Sequence, residues 1–233
     1  MGKKTITNIT DIPSTLTNHP FYGFSLDTEQ KKFRDSIWNS EKKIIFCNAK
    51  AGSGKTLIAT ATANLLCEYK LYEGIIYIVS PYGEGKQGFL PGSITEKSEV
   101  YFEPFYQALE ECGVNLYTAL INDSLINEKF DTAYIKCLTH TYLRGTNFHN
   151  KVVILDECQN FDFSGLKKTL TRISDDCKII VIGHDKQKDT NDNTNGFLRY
   201  MQHFGNSGDS RVAVCNLTKN YRGWISSFAD ELE

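Results

Sequence analysis

The sequence lacks any apolar run long enough to cross a bilayer. Its longest runs, 44–47, 75–79, 152–155 and 179–182, hold four or five residues each, against the roughly 20 that a spanning helix needs. No membrane association is therefore expected. Residues 1–16 are polar and carry no apolar centre of a secretory signal, and position 6 is Ile where a myristoylation signal has Ser or Thr. An excess of charge of either sign is also missing. With 26 basic and 28 acidic residues the net charge is −2, only six of the basic residues are Arg, and no run of like charge exceeds two. That argues against holding nucleic acid by bulk electrostatics, though a local basic groove stays open. The seven cysteines are odd in number, contain no CxxC, and no two stand closer than 19 positions. A disulfide scaffold or zinc site is not indicated; several thiols fall inside apolar runs, where they act as small hydrophobes. A reducing compartment, the cytoplasm, is expected.

What is present is an alternation. The 233 residues, 40% hydrophobic and 23% charged, suffice for one large domain. Strands are expected at 43–48, 74–80, 151–156 and 177–183, with a fifth at 134–138. Helices are expected at 55–69, 99–112, about 114–130 and 164–173. Near-continuous apolar strands alternating with helices predict a parallel sheet covered on both faces, an α/β fold. Two stretches read as loops: the glycine-rich 81–98, too long for a simple connection, and the polar 186–196. The latter has Thr at 194 and Tyr at 200, where an EF-hand needs Gly and Glu.

Ala49-Lys50-Ala51-Gly52-Ser53-Gly54-Lys55-Thr56 follows a strand and opens a helix, the setting of a phosphate-binding loop. Gly52 and Gly54 let successive N–H groups turn toward phosphate oxygens, and the helix N-terminus adds partial positive charge. Lys55 can reach the β- and γ-phosphates, and the Thr56 hydroxyl can ligate Mg²⁺. Ala49 stands where the first glycine of GxxxxGK[ST] is usual. Asp156 and Glu157 fall just past a buried strand, at the edge where open α/β sheets bind ligands. Asp156 suits Mg²⁺, through water; Glu157 suits orienting or deprotonating an attacking water. Taken alone, two acids in that position could equally cap the next helix.

Asp156-Glu157-Cys158-Gln159-Asn160 resembles the DEAQN segment of the PhoH-like ATPases, relatives of the first RecA-like domain of superfamily 1 helicases. The likeness covers most of the chain. Gly83-Glu84, then Gly88-Phe89-Leu90-Pro91-Gly92 and Glu96-Lys97, resemble that family's GE…GFLPG…EK loop, its most specific feature. Residues 104–109 are similar to P-x-YDAL, Leu143-Arg144-Gly145 to the RG ahead of the acidic strand, and Leu170-Thr171-Arg172-Ile173 to LTRIG. One segment departs: GDPxQ reads Gly183-His184-Asp185-Lys186-Gln187.

The resemblance implies a three-layer α/β/α P-loop NTPase with a mostly parallel RecA-like sheet. It implies one domain over 1–233, residues 1–42 forming an adenine-recognition segment, with no room for a second RecA-like domain. Gln187 would sense the γ-phosphate. Arg222, in Leu217-Thr218-Lys219-Asn220-Tyr221-Arg222, resembles the Arg of LxxNYR that touches it; an always-charged fork suits developing phosphoryl charge. Gln30, in a segment similar to the Q-motif, would read the adenine edge, with Asp27 or Thr28 capping a helix to about Trp38. Tyr22 and Phe24 could stack on the base or belong to the core. ATP and Mg²⁺ are the implied ligands, RNA or single-stranded DNA the implied macromolecular partner, and a homo-oligomeric ring the implied assembly. Nucleic-acid contacts would come from 82–92, Arg144, and the Lys167, Lys168 and Arg172 face, although those lysines equally fit a solvated helix. Three other activities compete. A P-loop phosphotransferase would need an Arg-rich lid, for which six Arg are few. A GTPase would need an NKxD-type segment, which is absent. A nucleotide-binding interaction module with little hydrolysis would not need Lys55, Thr56, Asp156 and Glu157 together.

Overall fold

The apolar runs lie side by side. The computed structural model describes residues 12–80, 99–121, 132–143, 145–184 and 196–229. In it β1 (Ile44–Ala49), β2 (Ile75–Val79), β3 (Ile135–Thr139), β4 (Val152–Asp156), β5 (Lys178–Gly183) and β6 (Val212–Leu217) form one sheet in the order β3-β2-β4-β5-β1-β6. Every pairing is parallel. β2 and β4 are buried along their whole length, which is why they read as unbroken apolar runs and not as alternations.

Seven α-helices are described: α1 (Thr28–Trp38), α2 (Lys55–Glu68), α3 (Glu103–Glu111), α4 (Leu116–Ala119), α5 (Phe163–Leu170), α6 (Gly196–Gly205) and α7 (Trp224–Ala229). One sheet face packs Ile45, Tyr77 and Ile154 against Phe33 of α1, Ile58 of α2 and Phe105 of α3. The other packs Phe46, Ile78 and Leu155 against Leu166 of α5 and Phe197 of α6. The result is a three-layer α/β/α sandwich, the fold class expected. α2 is buried from Ile58 through Leu66; its Ala and Thr residues let it lie close on the sheet, and a helix apolar on all sides belongs inside.

Two expectations need correction. The helix expected over 114–130 stops at Ala119: Leu120 turns extended, pairs in a parallel bridge with Ile135, and Ile121 N–H donates to the Ile135 carbonyl at 2.7 Å. Bonding to the open edge of β3 outcompetes another helical turn there. The sixth strand and α6 were not foreseen. β6 is a half-buried edge strand, which blurs its apolar pattern.

β5 stands between β1 and β4, and the chain leaves the shared edge in two directions. From β1 it crosses through α2 to β2; from β5 it crosses through α6 to β6 on the far side of β1. The segments after β1, β4 and β5 therefore meet at a topological switch point, where α/β sheets hold their ligands.

Candidate nucleotide site

The phosphate loop is built by strand, turn and helix in succession. Ala49 ends β1, buried and without positive φ, so the missing glycine is no loss of conformation. Lys50 N–H donates to the Leu217 carbonyl at 3.0 Å, tying the loop to β6. Gly52 (φ 69°) and Gly54 (φ 80°) lie in the left-handed region, with Gly54 at the N-cap of α2. Ser53 is buried between them, its Oγ without a partner among the described residues. Lys55 and Thr56 then open α2, so the loop is braced by a helix buried in the core.

The two carboxylates take different surroundings. Asp156 is 1% exposed. Its Oδ2 accepts from the Thr56 hydroxyl at 2.7 Å and the Tyr77 hydroxyl at 3.0 Å, and its Oδ1 accepts from the Glu157 N–H at 2.8 Å. Burial, then the charge of Glu157, pushes its pKa above the usual value, against the pull of Lys55. The Glu157 side chain is 42% exposed and can meet water. Burial pushes its pKa up, but Lys55 Nζ, 2.9 Å from Oε1, outweighs this and holds the carboxyl below its ordinary range. The Lys55 ammonium is in turn held charged by both acids against its own burial. Glu157 also has a left-handed backbone (φ 49°, ψ 43°), an uncommon conformation for this residue type, of the kind that clusters at working sites.

Two further residues join this cluster without having been foreseen. Tyr77, on β2, carries its hydroxyl to Asp156 while its ring stacks on Phe105, centroids 4.2 Å apart. Gln159 donates from Nε2 to Glu157 Oε2 at 2.5 Å and accepts the His184 N–H at 3.2 Å, linking the water-facing carboxylate to the end of β5. Gln159 was in view only as part of a motif. Tyr77 gave no signal, because within an apolar run it reads as core.

Of the remaining expected residues, Arg222 lies with the loop. A Cβ on Gly52 would stand 2.8 Å from Arg222 Cγ and 2.6 Å from Asn220 Oδ1, so glycine is what lets the segment pass. Gln30 is brought to the same place. It completes a capping box with Asp27, which caps α1, and its Nε2 donates to the Ser53 carbonyl at 3.0 Å. Tyr22 and Phe24 pack on the core, and the Tyr22 hydroxyl accepts from Asn64 of α2 at 2.8 Å. Gln187, Asp185, Arg144 and the 81–98 loop lie outside the described residues. Burial lowers the pKa of His140, just past the end of β3, and Lys168 is near enough to lower it further; Lys167 and Lys168 lie in the last turn of α5. There the lysines complement the helix dipole.

The donor set suits a hard cation. A Thr hydroxyl and a carboxylate side by side are the oxygen ligands Mg²⁺ takes when it keeps its own waters and phosphate oxygens. Thr56 and Asp156 would hold it, with Lys55 and the loop N–H groups around the phosphates.

A family model described as PhoH-like protein matches residues 25–224. Protein PhoH of Escherichia coli (strain K12) is 34% identical over 151 residues, 64% of this chain and 40% of that protein. The PhoH-like protein of Mycobacterium leprae (strain TN) is 31% identical over 161 residues, 69% of this chain and 43% of that one. The chain thus spans less than half the length of these relatives. Among solved structures, the large terminase ATPase domain of Thermus phage P74-26 aligns over 88% of this chain and 86% of that one, with a TM-score of 0.50 at 14% identity.

Proposed function

The chain belongs to the PhoH-like family, and on that footing we propose that it is a Mg²⁺-dependent ATPase that hydrolyses the β–γ bond. The observation that carries the proposal is the convergence of Lys55, Thr56, Asp156 and Glu157 on one sheet edge, with a buried acid bonded to the Thr56 hydroxyl and a water-accessible acid beside it.

Each residue has a part that follows from its surroundings. The loop N–H groups and the N-terminus of α2 orient the phosphates. Lys55 moves from Glu157 to the terminal phosphate oxygens, which frees the carboxylate to align and deprotonate a water. Gln159 keeps Glu157 aimed as Lys55 leaves. Arg222 opposes the charge that spreads over the transferring phosphoryl group. Mg²⁺, when bound, neutralises oxygens of the β- and γ-phosphates. Lys55→Ala should abolish Mg²⁺-dependent phosphate release while the fold persists; release at the wild-type rate would sink the assignment.

RNA or single-stranded DNA is the proposed macromolecular partner, supported by family likeness. The proposed contacts are residues 82–92, Arg144 and the Lys167, Lys168 and Arg172 face. Phosphate release with poly-U or single-stranded DNA, at low and moderate salt, tests this; a rate unchanged at every salt contradicts it.

A further inference from the structure

The start of α1 touches both halves of the site. Asp27 accepts the Gln30 N–H through Oδ1 at 2.8 Å and the Tyr221 hydroxyl through Oδ2 at 2.5 Å. Glu29 accepts the Thr218 N–H at 2.7 Å and the Thr218 hydroxyl at 3.0 Å. Gln30 donates to the Ser53 carbonyl, and a Cβ on Gly54 would come within 3.3 Å of its Nε2. On the other side, the Tyr221 N–H donates to the Gly52 carbonyl at 2.8 Å, and Asn220 Oδ1 accepts the Arg222 N–H at 2.8 Å. One helical turn therefore grips the phosphate loop through Gln30 and the arginine segment through Asp27 and Glu29.

We propose that Asp27 and Glu29 are positioning residues that set Arg222 over the phosphate loop of its own chain. The inference rests on the proposed role of Arg222. An arginine has many rotamers and no fixed direction, so stabilising a charge that exists only in the transition state requires its backbone to be held. The segment leaves β6 at Leu217 and enters α7 at Trp224, so between those points its register rests on contacts such as these. Thr218 is the first residue after β6, and Glu29 holds it by backbone and side chain together. Tyr221 is the residue before Arg222, and it is pinned at both ends, by Gly52 and by Asp27. Loosening Glu29 frees the Arg222 segment at Thr218 without touching the phosphate loop or the carboxylates, whereas Asp27 also caps α1 at Gln30.

A positioning role predicts a signature that a purely structural role does not give. Glu29→Ala and Thr218→Val should each lower kcat about three- to tenfold, as expected for one lost hydrogen-bonded anchor, with KM for ATP within about twofold. The same substitutions made in an Arg222→Ala chain should lower kcat no further, because the group they position is gone. The thermal midpoint of each variant, read alongside, should stay within a few degrees of its parent. An equal fall in the Arg222→Ala background, or no fall in the wild type, would overturn the inference while leaving Arg222 itself in place. An Arg222→Ala enzyme as fast as the wild type would overturn the role of Arg222, and this inference with it.

Discussion

At the residue scale, the site separates two acids adjacent in sequence by what surrounds each. Asp156 is sealed among Thr56, Tyr77 and the Glu157 N–H, whereas Glu157 is half open and paired to Lys55. Tyr77→Phe keeps the ring on Phe105 and removes only the hydroxyl. It should weaken the Mg²⁺ dependence of phosphate release by about 10- to 100-fold, as loss of a group that orients a metal ligand does. Affinity for a fluorescent ATP analogue in EDTA should not change. A Mg²⁺ titration that superimposes on the wild type would show that the Tyr77–Asp156 bond has no part in holding the metal. Gly52→Ala places a methyl where Asn220 and Arg222 pass, on a backbone with φ 69°. It should displace that segment, and phosphate release should fall at least about tenfold through kcat.

At the scale of elements, strands and helices differ in how plainly the sequence shows them. The four central strands were legible because burial on both faces leaves unbroken apolar runs, and the phosphate loop because its glycines have one physical use. α4 was overread: Leu116, Leu120 and Ile121 carry a helical spacing, yet Leu120 and Ile121 bond to the edge of β3. Periodicity cannot register an unpaired strand edge far away in sequence. Lys178 was also invisible, as an ordinary lysine opening a strand. It is buried, and its Nζ donates to the Asn39 carbonyl at 2.7 Å and the Lys42 carbonyl at 2.8 Å, closing the C-terminus of α1. Burial, with Lys43 nearby, lowers its pKa from 10.5 to about 7. The unfolded chain therefore binds the extra proton between those values, and this residue makes stability rise with pH from about 7 to 10.5. Chemical denaturation across that range should show the wild type gaining on Lys178→Met as pH increases. A constant difference between the two would contradict the burial of a titrating amine.

At the scale of the whole molecule, the sheet order is what assembles the site. Thr56, at the start of α2, and Asp156, at the end of β4, are 100 residues apart, yet only β5 separates β1 from β4 in the sheet, and the Thr56–Asp156 bond closes that span. From the sequence the phosphate loop and the acids were readable singly. Their joining to Gln30 and Arg222 through the start of α1 was not, since residues 27–30 and 218–222 lie at opposite ends of the chain. In the proposed function this assembled edge performs hydrolysis and not merely binding. Its most direct test is Glu157→Gln, measured for nucleotide binding and for phosphate release in the presence of Mg²⁺. Binding should stay within a few fold of the wild type and release should slow by about 10²- to 10⁴-fold, the usual contribution of a positioned base. Release at an undiminished rate from the Glu157→Gln variant would contradict it.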